Sequence, residues 1–128
     1  MAVAGVDDVG AIVAEVFAHP ETYLGRTLTA VGADSNCDAY ATTLTRELGV
    51  HVNYNHIPAD LFKSFGFPGA EELANMFEVQ RLFMPDQLVG LIESYALNPD
   101  IQSFENWVFT NKAQFPITVE REKQLAFA

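Results

Sequence analysis

The chain has 128 residues, 49% of them apolar, with ten Phe, four Tyr and one Trp. One domain of this size hides roughly two-thirds of its unfolded surface, which excludes a disordered chain, and no apolar run reaches the roughly 18 residues of a membrane span. Seven Lys and Arg stand against seventeen Asp and Glu, a formal charge of −10, and the bases are scattered, which disfavours nucleic acid and anionic membranes as partners.

In chain order, Asp7 to Phe17 reads as a helix: Asp7 and Asp8 complement its dipole, and Val9, Ile12, Val13, Val16 and Phe17 recur at helical spacing. Pro20 stops it. Thr27 to Val31 alternates and is rich in β-formers, so the pattern predicts a strand. Asp34-Ser35-Asn36 offers N-caps for a helix over Cys37 to Leu48, with Tyr40, Leu44 and Leu48 four apart and Gly49 as C-cap. Val50 to Tyr54 reads as a second strand. Pro58 opens a short helix as its first residue, running to about Phe65, and Gly66-Phe67-Pro68-Gly69 breaks the chain. Ala70 to Phe83 forms a helix with Leu73, Met76, Phe77 and Leu82 as its apolar stripe, ended by Pro85. Gln87 to Leu97 is ambiguous between strand and helix. Asn98-Pro99-Asp100 is a turn, and Ser103 caps a last helix through Asn111 with Phe104, Trp107 and Val108 inward. From Ile117 onward charged and apolar residues alternate, a pattern that suits an arm laid against a partner or a frayed end. The whole reads as an α/β (α+β) lobe of four to five helices with three or four short strands.

Few residues combine into a reactive constellation. No two of the eight glycines are separated by a single residue, so the G-x-G-x-x-G turn is missing, and so is the P-loop. His51, His56 and Asp60 fall within ten residues but lack the third or fourth ligand at metal-site spacing, and a structural role is the better reading. Cys37 stands near a helix start, where a thiol is activated, but Asp38 opposes a thiolate, so it reads as structural. No Tyr-x-x-x-Lys pair occurs, and Glu71-Glu72 reads as a dipole-complementing pair. No catalytic, cofactor-contacting or metal-ligating residue is assigned. The single Cys cannot close an internal disulfide, and Met1 to Gly10 carries no Lys or Arg, so the expectation is a cytoplasmic, reducing compartment with no signal or transit segment.

Three stretches carry a resemblance: Val6-Asp7-Asp8-Val9-Gly10-Ala11-Ile12-Val13 with His19-Pro20-Glu21-Thr22-Tyr23-Leu24-Gly25-Arg26-Thr27; Gly66-Phe67-Pro68-Gly69-Ala70-Glu71-Glu72-Leu73-Ala74-Asn75-Met76-Phe77; and Leu97-Asn98-Pro99 followed by Phe104-Glu105-Asn106-Trp107. In this order and spacing, over about residues 5 to 115, they resemble the C-terminal part of NmrA-like proteins, atypical members of the short-chain dehydrogenase/reductase superfamily. The second stretch looks closest to the animal-type NmrA-like redox sensors that bind NADP. The resemblance implies a lobe over residues 1–115, with residues 116–128 as a tail or arm. It implies that complete members bind NADP through an N-terminal Rossmann half, which this chain does not resemble, while the C-terminal lobe closes the cleft. Many members have lost the catalytic Tyr and Lys and act as regulators that bind other proteins. No cofactor is therefore expected for this chain alone. The expected role is a non-catalytic module working through a protein partner or a larger assembly; the other reading is the substrate lobe of an NAD(P)-dependent reductase whose nucleotide half is not in this chain. A small-molecule ligand is left open. Phe67, Asn75, Met76, Phe77 and Trp107 are the candidate cleft or interface residues; core packing is the alternative for each, and the better one for Met76 and Phe77.

Overall fold

Gly5 introduces α1 (Val6–Ala18), whose first turn carries the two acids that the helix dipole favours. His19 breaks the helical dihedrals, and Pro20 then starts the single turn α2 (Pro20–Tyr23) instead of a loop. The computed structural model describes residues 1–84 and 86–117. The remaining elements are β1 (Ala2–Val3), β2 (Ala33–Asp34), α3 (Cys37–Leu48), α4 (Ala59–Lys63), α5 (Ala70–Phe83), α6 (Leu88–Leu97) and α7 (Phe104–Asn111), followed by a 3-10 turn over Lys112–Gln114. The two strands pair antiparallel, Ala2 opposite Asp34 and Val3 opposite Ala33. Several boundaries follow from caps legible in the sequence. Asn36 accepts from the Ala39 N–H at the start of α3, Gly49 closes that helix at φ +68°, and Ser103 accepts from the Asn106 N–H to open α7. Pro58 is the N-cap of α4 rather than its first residue.

The fold class expected from the sequence is wrong. Among the described residues there are seven α-helices and one two-stranded sheet, so the chain is mostly helical and not an α/β lobe with three or four strands. Both expected strands are irregular segments instead, each tied to a helix hydroxyl rather than to another strand. Ser94 Oγ on α6 accepts from the Val31 N–H at 2.8 Å and donates to the Thr29 carbonyl at 2.9 Å. Thr45 Oγ1 on α3 accepts from the Val52 N–H at 3.0 Å, and its single proton is shared between the Ala41 carbonyl at 2.9 Å and the Val52 carbonyl at 3.2 Å. The segments have β-forming side chains but no strand to pair with among the described residues. The ambiguous 87–97 segment is helical. The tail beyond Ile117, and Pro85 as helix terminator, lie outside the described residues.

The core is small and built from short side chains. Ile12, Val31, Ala41, Ala70, Ala74, Leu97 and Val108 are buried, with Tyr40 beside Phe104 at a ring-centroid distance of 4.5 Å where α3 packs on α7. Two inward stripes expected from the sequence are corrected. On α5 the buried positions are Ala70 and Ala74, while Leu73, Met76, Phe77 and Leu82 are exposed. On α7 Val108 is fully buried, but Trp107 is 38% exposed, its ring set edge-on to Phe115 at 6.3 Å between centroids. The helical period was read rightly, but its phase toward the core was set by the small residues, which let helices approach.

Tyr40 also fastens the sheet. Its hydroxyl donates to the Met1 carbonyl at 2.7 Å and accepts from the Ser35 N–H at 3.1 Å. Burial first, with the Asp34 carboxylate and the Cys37 side chain adding to it, raises the phenol above its ordinary pKa of 10.0, against the Ser35 hydrogen bond. A folded-state pKa raised above the unfolded one gives a contribution fully present below the unfolded pKa and lost as pH rises through that window. The wild type is therefore expected to lose stability above about pH 10 more steeply than Tyr40→Phe. Urea melts of both proteins between pH 8 and pH 11 check this; parallel curves would contradict it.

Candidate functional site

After α4 the chain reverses twice through left-handed glycines, Gly66 at φ +69° and Gly69 at φ +86°, a conformation other residues rarely adopt. This folds α5 back along α4, against which it packs. Phe62 on α4 becomes an aromatic hub, 5.7 Å from Phe65, 5.6 Å from Phe67 and 6.0 Å from Phe77 between ring centroids. The Phe67 and Phe77 contacts are edge-to-face, the favoured arrangement for such pairs.

Between this cluster, the start of α3 and the 54–57 loop lies a cleft of about 580 Å³. That is within the range of small-molecule sites. Phe62, Phe77, Ile57 and the buried Ala74 supply apolar walls, and Asn36, Tyr54, His56, Gln80 and Arg81 supply polar groups. Tyr54 Oη and His56 Nδ1 are 3.2 Å apart in a hydrogen bond. Arg81 grips Glu78 with two bonds, Nε to Oε1 at 3.0 Å and Nη2 to Oε2 at 2.8 Å. That grip, helped by the nearby charges of His56 and Lys63, holds the Glu78 carboxyl below its ordinary pKa and raises the Arg81 guanidinium. A second cleft, about 430 Å³, lies where α1 starts beside α7, lined by Gly5, Asp8, Gln102, Phe104, Trp107 and Asn111. Asp8 is buried there and accepts from the Gln102 N–H at 3.2 Å and from Asn98 Nδ2 at 3.4 Å.

The other notable surface is apolar. On α1, Val6, Val9, Val13 and Phe17 fall on one helical face and are all exposed, Phe17 at 79%. On α6, which α1 contacts, Leu88, Val89, Ile92 and Tyr95 are exposed, Val89 at 79%. Residues 1–108 match the NmrA-like family. The chain belongs to that family. Its NmrA-like stretch from Gly66 to Phe77 contributes Phe67 and Phe77 to the aromatic cluster, and Ala74 and Phe77 to one wall of the larger cleft.

The structure distributes the residues singled out from the sequence. Phe77 lines the larger cleft, and Phe67 does not line it but meets Phe62 edge-to-face. Asn75 and Met76 are exposed on α5 and line neither of the two clefts. Trp107 lines the smaller one. His51 and Asp60 do not line the larger cleft beside His56, and among the described residues no three His, Cys, Asp or Glu gather as metal ligands. The same residues contain no helix long and apolar enough to cross a membrane. Sequence reasoning missed Tyr54, Phe62, Gln80 and Arg81. Gln80 and Arg81 were signalled by their spacing from Ala74 and Phe77, which puts all four along one side of α5.

Proposed function

We propose that this NmrA-like chain is a non-catalytic lobe that works against another protein, as a regulatory or redox-sensor-type module or as a subunit of a larger assembly. One observation carries this reading. Helix α6 is apolar on nearly every side, yet within the chain only its Gly90–Ser94–Leu97 side is buried. A helix apolar all round belongs in a covered position.

The surface area agrees. The chain exposes 9638 Å², against about 6,700 Å² for a compact monomer of its mass. Setting aside about 1,800 Å² for residues 118–128, the most that eleven residues can expose, the rest still shows about 1,500 Å² more than a compact body of its size. That is the area one side of a large, permanent interface buries. The family resemblance supplies the kind of neighbour, since complete members carry a nucleotide-binding half. The 580 Å³ cleft favours a second reading, the substrate lobe of an NAD(P)-dependent reductase whose nucleotide-binding half is another body. The two readings share the covered face and differ in whether the assembled pair turns over NADPH.

Val13→Glu with Phe17→Glu tests the proposal. Both side chains are exposed, so the melting point of the chain alone should stay within a few degrees. Co-purification with the partner should be lost, because two buried unpaired carboxylates cost an interface several kcal/mol. Unchanged association would contradict the α1 face as the contact surface.

A further inference from the structure

The smaller cleft, about 430 Å³ and within the range of small-molecule sites, holds a charge that no cation answers among the described residues. Asp8 is 5% exposed, and its carboxylate meets only neutral donors, the Gln102 N–H at 3.2 Å and the Asn98 amide at 3.4 Å. No Lys, Arg or His of the described residues pairs with it. The dipole of α1 favours an acid at this position but amounts to only about half an elementary charge, whereas buried charges are ordinarily paired. Two donors also leave about half of the carboxylate's acceptor sites open. Gly5 leaves room beside them. A Cβ on Gly5 would stand 2.9 Å from Asp8 Oδ2 and 3.8 Å from Trp107 Cδ1, so carboxylate and indole face the same space. Trp107 lines that cleft and is 38% exposed.

We propose that the smaller cleft is a binding site for a guanidinium group, its N–H donors on Asp8 Oδ2 and its plane against Trp107. The carboxylate calls for a cation, and its open acceptor sites call for one that carries N–H donors. The indole selects a flat one. A guanidinium stacks on aromatic rings and is more weakly hydrated than an ammonium, so it gives up less on entering a partly closed cleft. Asp7, exposed on the lining of the same cleft, and the formal charge of −10 draw cations toward it. The site does not rest on the partner proposed for α1 and α6, because the chain alone contains every contact.

Methylguanidinium is the probe. Titrated into the full 128-residue chain, it should give saturable nitrogen–proton shifts confined to residues 3–8 and 102–107, among them the indole N–H of the single Trp, with a Kd on the order of 1 mM. Tetramethylammonium has the charge without the donors, and methylurea the shape without the charge; each should bind about tenfold more weakly or worse. N-acetylarginine amide separates the sources: a gain of about tenfold over methylguanidinium assigns the site to a peptide side chain, no gain to a free small molecule. Asp8→Asn should weaken the probe about tenfold, and Trp107→Leu by about two- to fivefold. Gly5 has φ −70° and ψ 143°, ordinary for alanine, so Gly5→Ala puts a methyl into the space between carboxylate and indole and should abolish binding. Asp8 also holds the fold, so Gly5→Ala carries the test where Asp8→Asn unfolds; the dispersion of all other resonances shows which variants are folded. Shifts that do not saturate, methylurea or tetramethylammonium binding as well as methylguanidinium, or unchanged binding by folded Gly5→Ala would each overturn the proposal.

Discussion

Replacing Ser94 by Ala is expected to cost the fold about 2–4 kcal/mol. Ser94 is fully buried, and its hydroxyl answers two backbone groups at once, the Val31 N–H and the Thr29 carbonyl. Alanine leaves the Val31 N–H without a partner beside a Val31 that is itself buried, so the full desolvation penalty of that group falls on the folded state. Water has little room to substitute. A Cβ on Gly90, one turn before Ser94, would lie 3.0 Å from Thr29 Cγ2 and 3.4 Å from Val31 Cγ2, which shows how closely α6 and the irregular segment approach. Urea melts measure the loss; a shift below about 1 kcal/mol would mean that the segment is held by something other than this hydroxyl.

Asp8→Ala is expected to cost a similar amount, about 2–4 kcal/mol. The carboxylate ties the first turn of α1 to the turn between α6 and α7 through the Gln102 N–H and the Asn98 amide. Asn98 in turn caps α6, its N–H donating to the Ser94 carbonyl, and its Oδ1 accepts from the Asp100 N–H. Removing Asp8 therefore unpairs donors on two elements and removes an acid from the end of α1 that favours one. Asp8→Asn keeps an acceptor of the same shape and should cost about half as much. Equal losses for both variants would contradict this account, because they would assign the whole effect to charge.

The helices were legible where local chemistry sets them. Asn36, Gly49 and Ser103 act within four residues of themselves, and α3, α5 and α7 have the bounds that caps and breakers indicate. The strands were not, because strand formation depends on a partner that a local pattern cannot show. Thr27–Val31 is answered by Ser94, more than sixty residues away, and Val50–Tyr54 by Thr45 from the preceding helix. Helix α6 escaped assignment for a different reason: Leu88, Val89, Leu91, Ile92, Tyr95 and Leu97 surround it, so it has no periodicity to read. Of the cleft, Phe77 was visible in the family-like stretch. The placing of Phe77, Gln80 and Arg81 across from Phe62 arises only once Gly66 and Gly69 turn α5 back on α4.

The central claim is that the exposed apolar faces of α1 and α6 are covered by another protein when the chain works. Photo-crosslinking in the cells that express it tests this directly, with a benzophenone amino acid placed at Val13, at Ile92, or at the exposed Thr42 on α3. The account predicts one discrete cross-linked species, of the same mass from Val13 and Ile92, and none from Thr42. No adduct from the two apolar positions, or the same adducts from all three, would contradict it.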